Sequence, residues 1–129
     1  MKIIARCRLM LLCLACLVTF PAVANDHGGS APAESLRFVV NLAGGGRVLQ
    51  VDMIFEGAHP EVEATLKTIR PKVQHKLIIL LASETADKLL TLEGKHTLAE
   101  TIRDTLNKLL DETPKSGVKE VLFTNFIIQ

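Results

Sequence analysis

Leu36 to Leu42 and Val48 to Phe55 are apolar-rich, strand-like stretches, and in the second Leu49, Val51, Met53 and Phe55 alternate with Gln50 and Asp52. A period of two predicts strands. Between them, Ala43-Gly44-Gly45-Gly46 supplies the positive φ angles of a tight reversal, so the two strands form a β-hairpin. From His59 the period lengthens. Pro60 suits a first helical position, Glu61 and Glu63 complement the helix dipole, and Val62, Leu66, Ile69, Val73, Leu77, Leu80 and Leu81 recur on one stripe. The stripe continues through Pro71, which predicts one kinked helix or two helices with Pro71 opening the second. Leu77 to Leu81 is uninterrupted apolar sequence and is expected to be the deepest helical part of the core.

Ser83 is placed to cap a short helical turn over Thr85 to Leu90 that Gly94 terminates. Thr97-Leu-Ala-Glu100 has the form of a capping box and predicts a helix start, followed by a buried stripe of Leu98, Ile102, Leu106, Leu109 and Leu110 and an exposed Asp104–Lys108 pair. Thr113-Pro-Lys-Ser-Gly117 ends that helix. The element order ββααβ, with strands and helices grouped, predicts an α+β domain in which helices pack on one face of an antiparallel-rich sheet.

The last nine residues, Val121-Leu-Phe-Thr-Asn-Phe-Ile-Ile-Gln129, are an apolar strand with no polar tail. Strict alternation sets Val121, Phe123 and Ile127 on one side and Leu122, Phe126 and Ile128 on the other. With both sides apolar, the strand is expected to be central in the sheet or covered on its second face. Leu122, Phe126 and Ile128 are the candidate assembly surface, because a monomer would leave one of the two sets as an exposed apolar patch.

The N-terminus sets the compartment. Lys2, Arg6 and Arg8 precede an apolar stretch from Leu9 to Phe20, and Ala22-Val23-Ala24 is a small-x-small cleavage site, so residues 1–24 read as a signal peptide with the mature chain beginning at Asn25. The alternatives are an uncleaved membrane anchor, short against the span of about 20 residues that a bilayer needs, and acylation at Cys16. Cys7, Cys13 and Cys16 all lie in this leader, so its removal leaves no thiol for a disulfide, a nucleophile or a metal. The mature chain has twelve basic and fourteen acidic residues, a formal charge of −2. Neither nucleic acid nor an anionic membrane surface is favoured by that balance, and base stacking is further disfavoured by the lack of Tyr and Trp. Residues 25–35 contain Gly28, Gly29 and Pro32 without periodicity and read as a flexible lead-in; residues 36–129 form one domain.

Catalytic patterns do not emerge. His27, His59, His75 and His96 make no i,i+4 pair, the Gly94-Lys95 step has Leu89 where a phosphate-binding loop needs glycine, and no Gly-x-Ser-x-Gly elbow occurs. Glu61, Glu63, Glu84, Asp87, Glu100, Asp104, Asp111 and Glu112 lie on polar faces or helix ends, with nothing to select an acid/base pair. The expectation is a non-enzymatic domain without metal or cofactor. A small hydrolase is the alternative that a deep pocket holding two of these groups would support.

Several segments resemble a known family in unbroken order. Phe38-Val-Val-Asn-Leu42 and Arg47-Val-Leu-Gln-Val51 are similar to the first two strands of the FliL family of flagellar basal-body-associated proteins, and Pro71 to Ser83 to its proline-led helix. Leu92-Glu-Gly-Lys95 resembles the family's Glu-Gly-Lys turn, Leu98 to Leu110 its L…I…N..L helix, and 121–129 its closing VLFTxFxxQ-like strand. The resemblance covers about residues 36 to 129. It implies a stomatin/prohibitin-like (SPFH) fold and a periplasmic accessory role at the flagellar motor, in contact with stator and basal-body proteins near the inner membrane and assembled as a homo-oligomeric ring. Two departures stand out: the leader looks cleavable where the family carries a transmembrane helix, and Gln74-His75 replaces the family's Arg-Asp. A stand-alone periplasmic paralogue, or a periplasmic scaffold or binding protein without a motility role, is the alternative.

Overall fold

The two strand-like stretches form an antiparallel hairpin in the structure, a computed structural model that describes residues 34–129. Strand β1 (Leu36–Asn41) pairs with β2 (Val48–Gly57), placing Phe38 opposite Val51 and Val40 opposite Leu49. The reversal is closed by the Leu42 N–H donating to the Arg47 carbonyl at 2.9 Å, and Gly44, Gly45 and Gly46 all have positive φ. Leu36, Phe38, Val40, Leu49, Val51, Met53 and Phe55 are buried on one face of the hairpin. That face carries the helices.

Helices α1 (Pro60–Thr68) and α2 (Arg70–Ala82) resolve the reading at Pro71 in favour of two helices, with Pro71 in the first turn of α2. Val62, Leu66, Val73, Leu77 and Leu81 are buried, as the stripe predicts. The apolar run is not uniformly deep. A helix turns about 100° per residue, so Leu77 and Leu81 face the sheet while Ile78 and Ile79 between them are exposed.

The next helical region differs from expectation. A one-turn helix α3 (Ala86–Leu89) is followed at once by α4 (Leu92–Leu110), whose cap is Thr91 rather than Thr97. The Thr91 Oγ1 accepts the Gly94 N–H at 2.9 Å, the same N-cap-to-N3 bond that the capping box would make two turns later. Thr97 is instead exposed mid-helix, with its carbonyl accepting from the Thr101 hydroxyl, and the box is not formed. Gly94 does not end a helix but lies in the first turn of α4, where a Cβ would stand 1.9 Å from the Lys88 carbonyl oxygen. Glycine lets α4 start hard against the end of α3. Ser83 is likewise no N-cap: its hydroxyl donates back to the Leu80 carbonyl at the end of α2. Leu98, Ile102 and Leu106 are fully buried and Leu109 and Leu110 partly so. Asp104 pairs with Arg103 and not with Lys108.

The final strand β3 (Val118–Ile128) begins three residues earlier than predicted and pairs antiparallel with β2, giving the sheet order β1-β2-β3. The expectation of a central position is therefore wrong: β2 is central because both neighbours pair with it, and β3 is an edge. Thr113 to Gly117 turns the chain back from α4, whose end is marked by Asp111 in the left-handed conformation. The whole is α+β, with four helices over one face of a three-stranded antiparallel sheet.

Thr91→Ala is expected to destabilise the protein by roughly 0.5–2 kcal/mol, the usual cost of a lost cap. Thr97→Ala should stay within about 0.5 kcal/mol, as a surface helical substitution. Denaturant melts of both variants check the order of the two effects.

Candidate interaction surface

The last strand does not alternate strictly. Consecutive residues Asp52 and Met53 of β2 face Asn125 and Phe123 of β3, so Thr124 is an extra residue in a β-bulge. One added residue reverses the alternation beyond it. Val121 and Phe123 before the bulge, and Phe126 and Ile128 after it, are consequently all turned towards the helices. The Phe123 and Phe126 rings meet edge to face with centroids 5.3 Å apart, and the Lys95 Nζ lies 5.4 Å from the Phe126 centroid.

The candidate set Leu122, Phe126 and Ile128 is thereby divided. Phe126 and Ile128 pack against the core, while Leu122 stays on the helix-free face together with Ile127, which strict alternation put on the other side. Leu122 lies opposite Ile54, and Val39 and Ile127 flank Gln50 on its two sides. Val39, Leu122 and Ile127 are 63%, 42% and 41% exposed, so this bare face carries apolar residues from both edge strands, β1 and β3. Ala22, Ala24 and Asn25, the residues of the predicted cleavage site, lie outside the described residues.

The bare face carries one cross-strand ion pair, besides the two acids Glu56 and Glu120 that lie opposite each other farther along β2 and β3. Arg37 donates from Nε and Nη2 to the two carboxylate oxygens of Asp52, at 2.7 and 2.9 Å. This bidentate pair, aided by a hydrogen bond from Asn125, holds the Asp52 carboxyl below the usual carboxylate range. Thr124 adds a hydrogen bond to the Asp52 carbonyl at 3.3 Å.

Two recesses bear on chemistry. A small one under Glu34, Glu63, Lys67 and Arg70 has a floor of Leu36, Phe55, Leu66 and Val73 and holds about 40 Å³, room for water rather than a substrate. The larger, of about 410 Å³, is an open groove between α4 and the outer side of β3, lined by Lys95, His96, Ala99, Arg103, Val121 and Phe123 among others. Among the described residues, no three of His, Asp and Glu converge as metal ligands. The α4 side of the groove was not legible as a site in the sequence, because Lys95, Ala99 and Arg103 look like an ordinary solvated helix face until β3 is placed beside them.

The Asp52 pair makes a pH prediction. A carboxyl whose folded pKa is depressed adds stability above its unfolded pKa and loses that contribution as pH falls through the folded value. Asp52→Asn should therefore lower stability near neutrality and flatten its decline below about pH 4, the ordinary Asp range. Urea midpoints for both proteins across that interval check the sign.

The comparisons agree with this fold's extent. The family model described as "Flagellar basal body-associated protein FliL" matches residues 34–129. The flagellar protein FliL of Escherichia coli K12 is 33% identical over 93 residues, covering 71% of this chain and 60% of that protein. FliL of Aquifex aeolicus is 29% identical over 111 residues, covering 84% of this chain and 67% of that protein. The chain thus spans about 60% of the length of the Escherichia coli relative it matches. The match takes in every described strand and helix, from the hairpin to the bulged last strand, and on that ground the chain belongs to the FliL family of flagellar basal body-associated proteins.

Proposed function

We propose that this protein is a non-enzymatic accessory of the flagellar motor. It acts in the periplasm, by contact with stator units and other basal-body proteins and by self-association, to support motility. The observation that carries this reading is the family match over the entire described domain. Residues 1–24 serve as the export signal, cleaved before Asn25 or retained as an anchor that keeps the domain at the inner membrane; residues 25–35 are the lead-in and 36–129 the working domain.

Self-association uses the bare sheet face. Val39, Leu122 and Ile127 are too exposed to contribute to the core and share the face that no helix covers, Val39 and Ile127 on either side of Gln50 and Leu122 beyond the Arg37–Asp52–Asn125 row; apolar residues left out of the core in this way mark a contact surface. Phe126 and Ile128 support that surface from beneath, through the edge-to-face contact with Phe123 and the packing of the strand on the helices.

Deletion of the gene should impair swimming or swarming while filaments still assemble. A chromosomal Leu122→Asp/Ile127→Asp double variant should reproduce the defect at normal protein level, and its purified product should sediment at lower mass than the parent. Unchanged motility in the deletion strain contradicts the motor role. A parent that sediments as a monomer at high concentration contradicts self-association.

A further inference from the structure

Helix α2 differs from its neighbours on the side turned away from the sheet. Val73, Leu77 and Leu81 are buried beneath it, and at about 100° per residue Ile79 lies nearly opposite Leu77. Ile78 and Ile79 are 47% and 57% exposed. On α1 no large apolar residue is exposed, and on α4 only Leu92, at its first position. A helix that packs on a core by one stripe keeps its opposite side polar. Apolar residues on both sides of α2 call for a second cover.

The charge of α2 is equally one-sided. Its thirteen residues include Arg70, Lys72 and Lys76 and no acid. Arg70 is paired with Glu34, and Glu84, the first acid after the helix, with Lys88 at 2.9 Å. Glu63 shares the rim of the small recess with Arg70 and Lys67, and the next acid, Asp87, belongs to α3. Lys72 and Lys76 are exposed and have no carboxylate partner among the described residues. Lys76 stands one turn before Ile79 and Lys72 two turns before it, so the isoleucines and the lysines share one side of the helix. The formal charge of −2 on the mature chain conceals this acid-free strip.

The chain also enters the domain at this helix. Glu34, the first described residue, bonds Arg70 in the first turn of α2. Residues 25–33 separate it from the leader and span no more than about 30 Å when fully extended. A leader retained in the bilayer keeps α2 within that reach of the lipid headgroups.

We propose that the outer side of α2 docks on a bilayer surface that contains anionic lipids. Ile78 and Ile79 enter the headgroup boundary, and Lys72 and Lys76 meet lipid phosphates. Two isoleucines and two lysines make a weak, reversible contact, which orients a tethered domain rather than holding it alone. The bare sheet face, on the opposite side of the domain, stays free for protein contact. An acidic protein would also satisfy the lysines, but the entry of the chain at α2 favours the membrane. The inference rests on the reading that keeps this domain at the inner membrane.

The chain has no tryptophan, so Ile79→Trp supplies a single fluorescent reporter at an exposed position, and Leu122→Trp a matching one on the bare sheet face. Each protein, purified from its producing cells, is titrated with vesicles of phosphatidylglycerol and phosphatidylcholine in equal parts, and with phosphatidylcholine alone. Emission of the Ile79→Trp protein should move to shorter wavelength with the anionic vesicles only, and that of the Leu122→Trp protein should not move. Adding Lys72→Gln and Lys76→Gln to the Ile79→Trp protein should raise the anionic lipid needed for the half-maximal shift about thirtyfold, from roughly fivefold for each lysine near a charged surface. No shift with anionic vesicles overturns the proposal, as does an equal shift with phosphatidylcholine alone. A shift without vesicles that grows with protein concentration assigns the face to a second copy instead, and one that polyglutamate produces in place of vesicles assigns it to an acidic protein. Cell fractionation tests the membrane placement separately: protein found outside the inner membrane fraction that still shows the lipid shift contradicts the placement and not the docking face.

Discussion

A single buried carboxamide sets where the last strand lies. Asn107 is the one buried polar residue among those described, and both halves of its amide are spent on Val118, the first residue of β3. Its own carbonyl accepts the Glu112 N–H, which helps turn the chain out of α4. Eleven residues separate Asn107 from Val118, so the bond closes a compact return from helix to sheet. Gly117 belongs to the same device: a Cβ there would stand 2.2 Å from the Asn107 Oδ1. Any side chain at 117 would push the amide off the strand. A buried polar group with both bonds made is stabilising chiefly because either bond is costly to leave unmade, at about 1–3 kcal/mol for each orphaned group.

From that anchor the remaining features follow. β3 runs outward from Val118 along β2, and the bulge at Thr124 turns Phe126 and Ile128 to the helices, leaving Leu122 and Ile127 on the bare face. Without the extra residue, Phe126 would project into water and the edge-to-face contact with Phe123 would be lost. The core and the exposed apolar set are thus determined together. The same anchor holds α4 alongside the edge of β3 and so creates the groove.

Much of this architecture was legible in the chain, for identifiable reasons. Period-two burial in the hairpin and the α1–α2 stripe depend on residues a few positions apart, and both appear as predicted, as does the family signature. The failures come from competition and from single residues. Thr97-x-x-Glu100 satisfies the rule for a helix start, but Thr91 makes the same bond earlier and Gly94 permits the close approach that the earlier start requires. The parity of β3 depends on Thr124, and no local signal distinguishes a bulged threonine from a paired one. The central placement predicted for β3 rested on its two-sided apolarity, whereas the second side is a surface. Asn107 was visible as part of a family-like motif, but its role needs the fold to bring Val118 to it.

The most direct test of this account is the stability of Asn107→Leu, which preserves side-chain volume and removes both bonds to the strand. Leaving the Val118 N–H and carbonyl without partners should cost about 2–6 kcal/mol in a urea melt, from two orphaned groups at the usual penalty. Hydrogen exchange at Val118 should accelerate more than at Leu49 in the core. A variant within about 0.5 kcal/mol of the parent, the ordinary scatter of neutral substitutions, with Val118 still protected, would contradict the claim that this amide anchors the last strand.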